Sequence, residues 1–202
     1  MEKIISEVQT LYKELDKDIE NFKFLTGLNC ISRCGFCCYS QKVETTILSV
    51  YPLANSLFQK NLGEYFIEKI ELKKDKTCVF FQLFDDSIGF GGNCGEYEFR
   101  PLICRLFGFS GILNKNNEPI YSPCKIIKNH MTQENLNRLS GFVQSIKIPI
   151  MRNYSLRLSQ ISPLLTQKEY PINEAIKIAL EKIGYWFQFS KPTGSSRPQR
   201  AA

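Results

Sequence analysis

The residues with chemistry to offer are eight cysteines: Cys30, Cys34, Cys37, Cys38, Cys78, Cys94, Cys104 and Cys124. The first four lie in Cys30-Ile-Ser-Arg-Cys34-Gly-Phe-Cys37-Cys38. A tight loop can turn several thiolates onto one metal when they stand two to four residues apart, and the C-x3-C and C-x2-C spacings here do so. Gly35 lets the backbone turn closely between them. Neighbouring side chains point apart, so Cys37 and Cys38 can serve two nearby metal centres. Equally, one can ligate while the other is buried or reactive. The other four are widely spaced and sit beside turns or element ends. Thiolate is a soft ligand that suits zinc or an iron–sulfur cluster rather than magnesium or calcium. Eight cysteines match two four-thiolate sites, or one such site and a redox pair. Disulfides and unligated buried thiols are the metal-free alternatives. His130 is the one histidine. It follows Cys124 closely enough to ligate, but a lone histidine is more often a surface or hydrogen-bonded residue. With a single imidazole, no Ser-His-Asp or Cys-His machinery is persuasive, and no catalytic residue is assigned.

Composition narrows the setting. The 202-residue chain is 43% hydrophobic and 23% charged, ordinary for a globular protein able to bury a core. No run approaches the roughly 20 apolar residues of a membrane span. The N-terminus alternates charged and apolar residues and lacks the uninterrupted apolar stretch of a secretory leader. A cytoplasmic location is therefore expected, where thiols stay reduced and clustered cysteines read as metal ligands. Lys191, Arg197 and Arg200 supply half of the net charge of +6. The remaining balance is mild and gives no specific nucleic-acid signal.

The elements that must position the thiols are mostly helical. Ile4, Val8, Leu11, Leu15, Ile19 and Phe22 make an apolar stripe, predicting a helix over 3–22 that stops at Gly27. Residues 28–42 form a cysteine-rich loop. The stretch after Val43 has helical character, with Pro52 starting or kinking a helix. Leu62, Phe66, Ile67, Ile70 and Leu72 continue helical spacing. Residues 78–84 suit a short buried strand, and Gly89, Gly91 and Gly92 mark a turn. Residues 94–108 read as a loop entering a short helix, with Pro101 in its first turn and Gly108 at its end. Asn-Lys-Asn-Asn-Glu-Pro is a hairpin turn. A helix is expected from Gln133 to Met151, with Leu136, Leu139, Phe142, Val143 and Ile146 on one face. Another is expected from Asn173, as N-cap, to Phe187. The expected class is mainly α with few short strands, the helices packed around an irregular cysteine-rich centre. A single domain over 1–189 is expected, with its cysteine core at 28–130, flanking helices at 3–22 and 133–189, and a disordered tail at 190–202.

The cysteine spacing, with Cys94-Gly-Glu-Tyr97-Glu-Phe-Arg100-Pro101-Leu-Ile-Cys104-Arg105-Leu-Phe107-Gly108 and Cys124, resembles the YkgJ-type cysteine-cluster proteins. The resemblance spans about residues 28 to 130. It implies a zinc- or iron-chelating domain with all eight cysteines as metal ligands. By position it makes Tyr97, Arg100 and Arg105 supporting residues around the thiolates, where arginine offsets negative charge. A branch resembling this family, the flagellin lysine N-methylases, implies an iron–sulfur cluster, S-adenosylmethionine and a protein substrate. Cys30-x3-Cys34-x-Phe36-Cys37 also resembles the radical S-adenosylmethionine loop, but no βα repeats accompany it. Three functions follow as expectations: a metalloprotein whose metal organises the fold, an S-adenosylmethionine-dependent protein lysine methyltransferase, and a metal chaperone or redox sensor using Cys37 and Cys38.

Overall fold

The computed structural model describes residues 1–32, 34–84, 91–141 and 147–190. Helix α1 (Glu2–Thr26) buries its stripe Val8, Leu11, Leu15 and Phe22. Each such side chain contributes roughly 1.5–3 kcal/mol by leaving water. The helix stops at Gly27, whose φ of 71° is left-handed and whose N–H donates to Lys23 O at 2.8 Å. It extends past the expected 3–22 to Thr26, whose Oγ1–H donates back to Phe22 O at 2.7 Å.

After the one-turn helix α2 (Phe36–Tyr39) comes strand β1 (Glu44–Thr46), then a 3-10 turn at Leu48–Val50 and helix α3 (Tyr51–Gln59). Pro52 lies in the first turn of α3, so it starts that helix rather than kinking a longer one. Helix α4 (Gly63–Leu72) follows. Strands β2 (Phe81–Leu83) and β3 (Gly92–Cys94) pair antiparallel, with Phe81 opposite Cys94. The expected buried strand at 78–84 is corrected here. Val79 and Phe80 are buried but lie before β2, and Leu83 within it is 68% exposed. A two-stranded ladder on the surface has only one covered face.

Helix α5 (Leu102–Leu106) begins one residue after Pro101, which occupies the N-cap. Strands β4 (Gly111–Leu113) and β5 (Pro119–Tyr121) make the expected hairpin. Asn114 organises its turn by accepting from the N–H groups of Asn116 and Glu118. Helices α6 (Lys125–His130), α7 (Gln133–Gly141) and α8 (Met151–Ile161) follow. The expected single helix from Gln133 to Met151 is corrected. Ile150 is extended, bridges Gly111 and precedes α8, and the chain from Met151 onward is a separate helix. Phe142, Val143, Ile146 and Gly89 lie outside the described residues.

Strand β6 (Glu169–Pro171) pairs with β1, joining distant parts of the chain, and helix α9 (Ile172–Ser190) packs against α3 and α4. Asn173 is not the N-cap: it lies inside the first turn of α9, and its side chain is committed elsewhere, as described below. The predominantly helical class with few short strands is the observed one. The expected tail lies outside the described residues beyond Ser190. Among the described residues no helix is long and apolar enough to cross a membrane.

Candidate metal centre

Four stretches of chain carry the thiols. The first leaves α1 at Gly27. Cys34 bridges Gly91, and Gly35 lies under the ring of Phe81. A side chain at Gly35 would run into that ring and come within 2.9 Å of the Gly92 carbonyl carbon, so only glycine lets the two strands of chain meet. Gly35 O then accepts from Cys38 N at 2.9 Å, opening α2 and burying Cys38.

The second stretch brings Cys78 and Cys94. The Cys78 N–H donates to Cys38 O at 3.0 Å, joining this segment directly to the first. Asn173 grips the backbone on both sides of Cys78: its Nδ2 donates to Thr77 O at 2.8 Å, and its Oδ1 accepts from Val79 N at 2.9 Å. Cys94 stands at the end of β3.

The third stretch is α5, which carries Cys104. Its orphan first N–H, on Leu102, is shared by the Tyr12 hydroxyl (3.1 Å) and Ser49 Oγ (2.9 Å). Tyr12 in turn donates to Ser49 O at 2.7 Å. The fourth stretch carries Cys124, the N-cap of α6, whose sulfur accepts from Ile127 N at 3.4 Å. Gly108, at φ 87°, passes so close that a side chain there would sit 3.4 Å from the Cys124 sulfur.

The thiols line two adjoining cavities. One is a small cavity of about 20 Å³, lined by Cys37, Cys38, Cys78, Cys94 and Cys104 together with apolar residues such as Leu53 and Ile176. The other is an open pocket of about 230 Å³, lined by Cys30, Cys34 and Cys124, and by Cys37, Cys38, Cys94 and Cys104 from the shared wall. Among the described residues no three Cys, His, Asp or Glu side chains are closed around one point as a formed metal site would be, so the thiols are gathered but not converged.

Their electrostatics follow from this crowding. Burial, with Cys94 and Cys37 nearby, pushes the Cys78 thiol up to about 12. Burial likewise raises Cys104 well above the ordinary thiol value, and desolvation with Cys34, Cys124 and Cys37 beside it pushes Cys30 up to about 11. Cys38 hydrogen-bonds to Cys37 and Cys94, and both of those are lowered. Cys38 itself is raised, first by the same bonds. Buried thiols that repel one another's ionisation need a cation to become thiolates together.

Arg100 supplies part of that charge. It lines both cavities, and its positive charge favours the ionised forms of Cys30, Cys37, Cys94 and Cys104. Its Nε donates to Tyr97 O at 3.0 Å, and its guanidinium lies 3.5 Å from the centre of the Tyr97 ring. Glu96 is paired with Lys60 at 3.2 Å, and among the described residues no carboxylate pairs with Arg100. Tyr97 lines the open pocket while remaining 59% exposed.

Arg105 is placed differently from the expectation that it supports the thiolates. It is buried, lines neither thiol cavity, and directs its fork to Asp16 on α1, to Arg100 O at 2.8 Å and to Glu98 O. The helical turn between positions 104 and 105 carries it to the α1 side. His130 is exposed on α6, with Nδ1 2.9 Å from Ile126 O, and lines neither cavity. Sequence reasoning missed Tyr12, Ser49 and Asn173. They carry no metal-ligand chemistry, and no local signal ties them to thiols so far along the chain.

A mainly helical scaffold that concentrates soft sulfur donors beside a guanidinium defines a cysteine-rich metal-binding protein. The family model for CxxCxxCC, described as a putative zinc- or iron-chelating domain, matches residues 29–140, and the chain belongs to that family. No curated protein and no solved structure matches the chain.

Proposed function

We propose that all eight cysteines are ligands and that the protein works as a thiolate metal centre holding zinc or an iron–sulfur cluster. The observation that carries this reading is the gathering of eight thiols, from four distant stretches of chain, along two adjoining cavities that share one arginine. The donor set fits such a group. It is all sulfur, and Arg100 offsets negative charge. A bound metal would supply the positive charge that lets the crowded thiols ionise together, and it would crosslink segments that are distant along the chain. Structural thiolate sites contribute roughly 10–16 kcal/mol of folding free energy in zinc peptides at neutral pH.

Holding a metal that completes the fold is favoured over methyl transfer. The open thiol pocket, at about 230 Å³, is below the roughly 300–1,000 Å³ of sites that enclose drug-sized ligands. It therefore lends no support to S-adenosylmethionine or a protein lysine as substrates.

Anaerobic purification, metal analysis and an absorption spectrum test the reading. Zinc or iron bound to the wild type, and depleted together with stability in Cys104→Ser, is the expected result. Broad visible absorption accompanies iron–sulfur ligation, and a colourless protein accompanies zinc. A wild type without either metal, or a Cys104→Ser variant with full metal and an unchanged melting temperature, refutes it.

A further inference from the structure

We infer that a cavity lined by α8 and the β1–β6 ladder binds a small cationic amino acid, its positive groups held by Glu44 and Glu169 and its carboxylate by Arg152. The inference does not rest on the metal-binding reading above, because this cavity shares no lining residue with either thiol cavity.

The cavity has a volume of about 400 Å³, within the roughly 300–1,000 Å³ of sites that enclose small ligands. The ladder supplies its acidic groups. Thr46 stands opposite Glu169, and Glu44 precedes Thr46 by two residues. Residues two apart share a face of a strand, and so do residues directly opposite each other, so the two carboxylates are diagonal neighbours on one face. Helix α8 supplies Arg152, Ser155 and Ser159, whose three- and four-residue steps keep them on one side of the helix. Leu102 and Ile103 of α5 add apolar lining beside them.

Three charges in this cavity are unmatched. Among the described residues Glu44, Glu169 and Arg152 enter no ion pair, whereas Arg157, farther along α8, pairs with Glu14. Two carboxylates on one strand face repel each other, and a cation between them relieves that repulsion. The hydroxyls beside them are acceptors. Ser159 Oγ donates to Leu156 O at 2.7 Å, and Thr166 Oγ1 donates to Ser162 O at 3.1 Å and Pro163 O at 3.0 Å. With their hydrogens committed to backbone carbonyls, both oxygens offer the cavity only lone pairs. Thr46 Oγ1, on the face that carries the glutamates, is the buried side-chain polar atom without a hydrogen-bond partner among the described residues. The lining thus lacks donors, which ammonium and guanidinium groups supply. Arg152 is the counterpoint, since its planar fork only donates and matches a carboxylate. Two anions and one cation complement a ligand with two positive groups and one carboxylate, the charge pattern of a basic amino acid. An acidic amino acid has the opposite balance.

The test is calorimetric titration of the full-length protein at low ionic strength with three probes: L-arginine, agmatine, which lacks the carboxylate, and L-glutamate. L-arginine should bind saturably at one per chain. Agmatine should bind about tenfold more weakly, the cost of one charge-assisted contact, and L-glutamate should not bind. Arg152→Met should weaken L-arginine to the level of agmatine and leave agmatine unchanged. Glu44→Gln and Glu169→Gln should each weaken both by about tenfold. All three side chains are exposed, so melting temperature and metal content should stay at their wild-type values. The probe series uses the wild type and decides even if a variant does not fold. No saturable binding of L-arginine, equal binding of L-glutamate, or an Arg152→Met effect as large on agmatine as on L-arginine overturns the inference. Metal content, measured on the same samples, bears on the metal-binding reading alone, so the two can fail separately.

Discussion

Arg105→Met keeps the aliphatic stem of a buried residue and removes its guanidinium. In the wild type that group donates from Nε to Arg100 O at 2.8 Å, from Nη2 to Glu98 O, and pairs through Nη1 with Asp16. Its fork also lies 4.6 Å from the Tyr12 ring centre. The Asp16 carboxylate is 45% exposed and rehydrates, so losing that pair costs about 0–1 kcal/mol. The two carbonyls matter more, because hydrogen bonds from a charged donor contribute about 1.5–3 kcal/mol each. Together these give a loss of about 3–7 kcal/mol, overlapping the roughly 3–5 kcal/mol cost of breaking a buried pair by removing one partner. At roughly 2–4 °C per kcal/mol for a chain of this size, the melting temperature should fall on the order of 10 °C. The assay is thermal unfolding of metal-loaded wild type and variant, with metal per chain measured on the same samples. Since Arg105 faces α1 and not the thiols, metal content at low temperature should be unchanged. A variant that loses metal while its melting temperature stays at the wild-type value refutes this placement and puts Arg105 at the cluster.

Asn173→Ala removes both hydrogen bonds that flank Cys78, which should cost about 2 kcal/mol and loosen one thiol. Unfolding and metal analysis should therefore move together, and a metal-depleted variant of unchanged stability would contradict the clamp. Tyr12→Phe leaves Leu102 N bonded to Ser49 Oγ but strips Ser49 O of a donor. A loss of about 1 kcal/mol is expected in denaturant unfolding, and no loss at all would show that the hydroxyl does not anchor α5. Asp18 accepts from Tyr154 Oη at 2.5 Å and Lys147 Nζ at 2.9 Å. Partial burial acts to raise its carboxyl, but these partners outweigh it and leave it below the ordinary value. The unfolded value is about 3.9, so the stabilisation is complete above that pH and is lost as pH falls through the lower folded value. Asp18→Asn should therefore flatten the acid limb of stability against pH, and superimposable limbs would refute the pairing.

Local pattern predicted what local physics controls. The stripe of α1 was readable because it alone places Val8, Leu15 and Phe22 on one face. The hairpin at 111–121 was readable because Asn114 closes its own turn through hydrogen bonds within five residues. Errors fell where a distant partner decided the state. Residues 147–150 are not helical where Ile150 is held extended against Gly111. Asn173 does not cap its helix because Thr77 and Val79 need its amide more.

The sequence by itself determined the donor chemistry: eight soft ligands, their clustered spacing and a glycine between Cys34 and Cys37. It also determined that Arg100 and Arg105 accompany Cys104, but not that they part company. Tertiary structure alone decided that one guanidinium faces the thiols and the other faces α1. It also decided which cysteines share a cavity. Ligand type is a property of each side chain, whereas grouping depends on contacts between residues as far apart as Cys38 and Cys78, or Tyr12 and Leu102. Those contacts form only when the hydrophobic faces of α1, α3 and α9 bury one another and carry the thiol-bearing segments together.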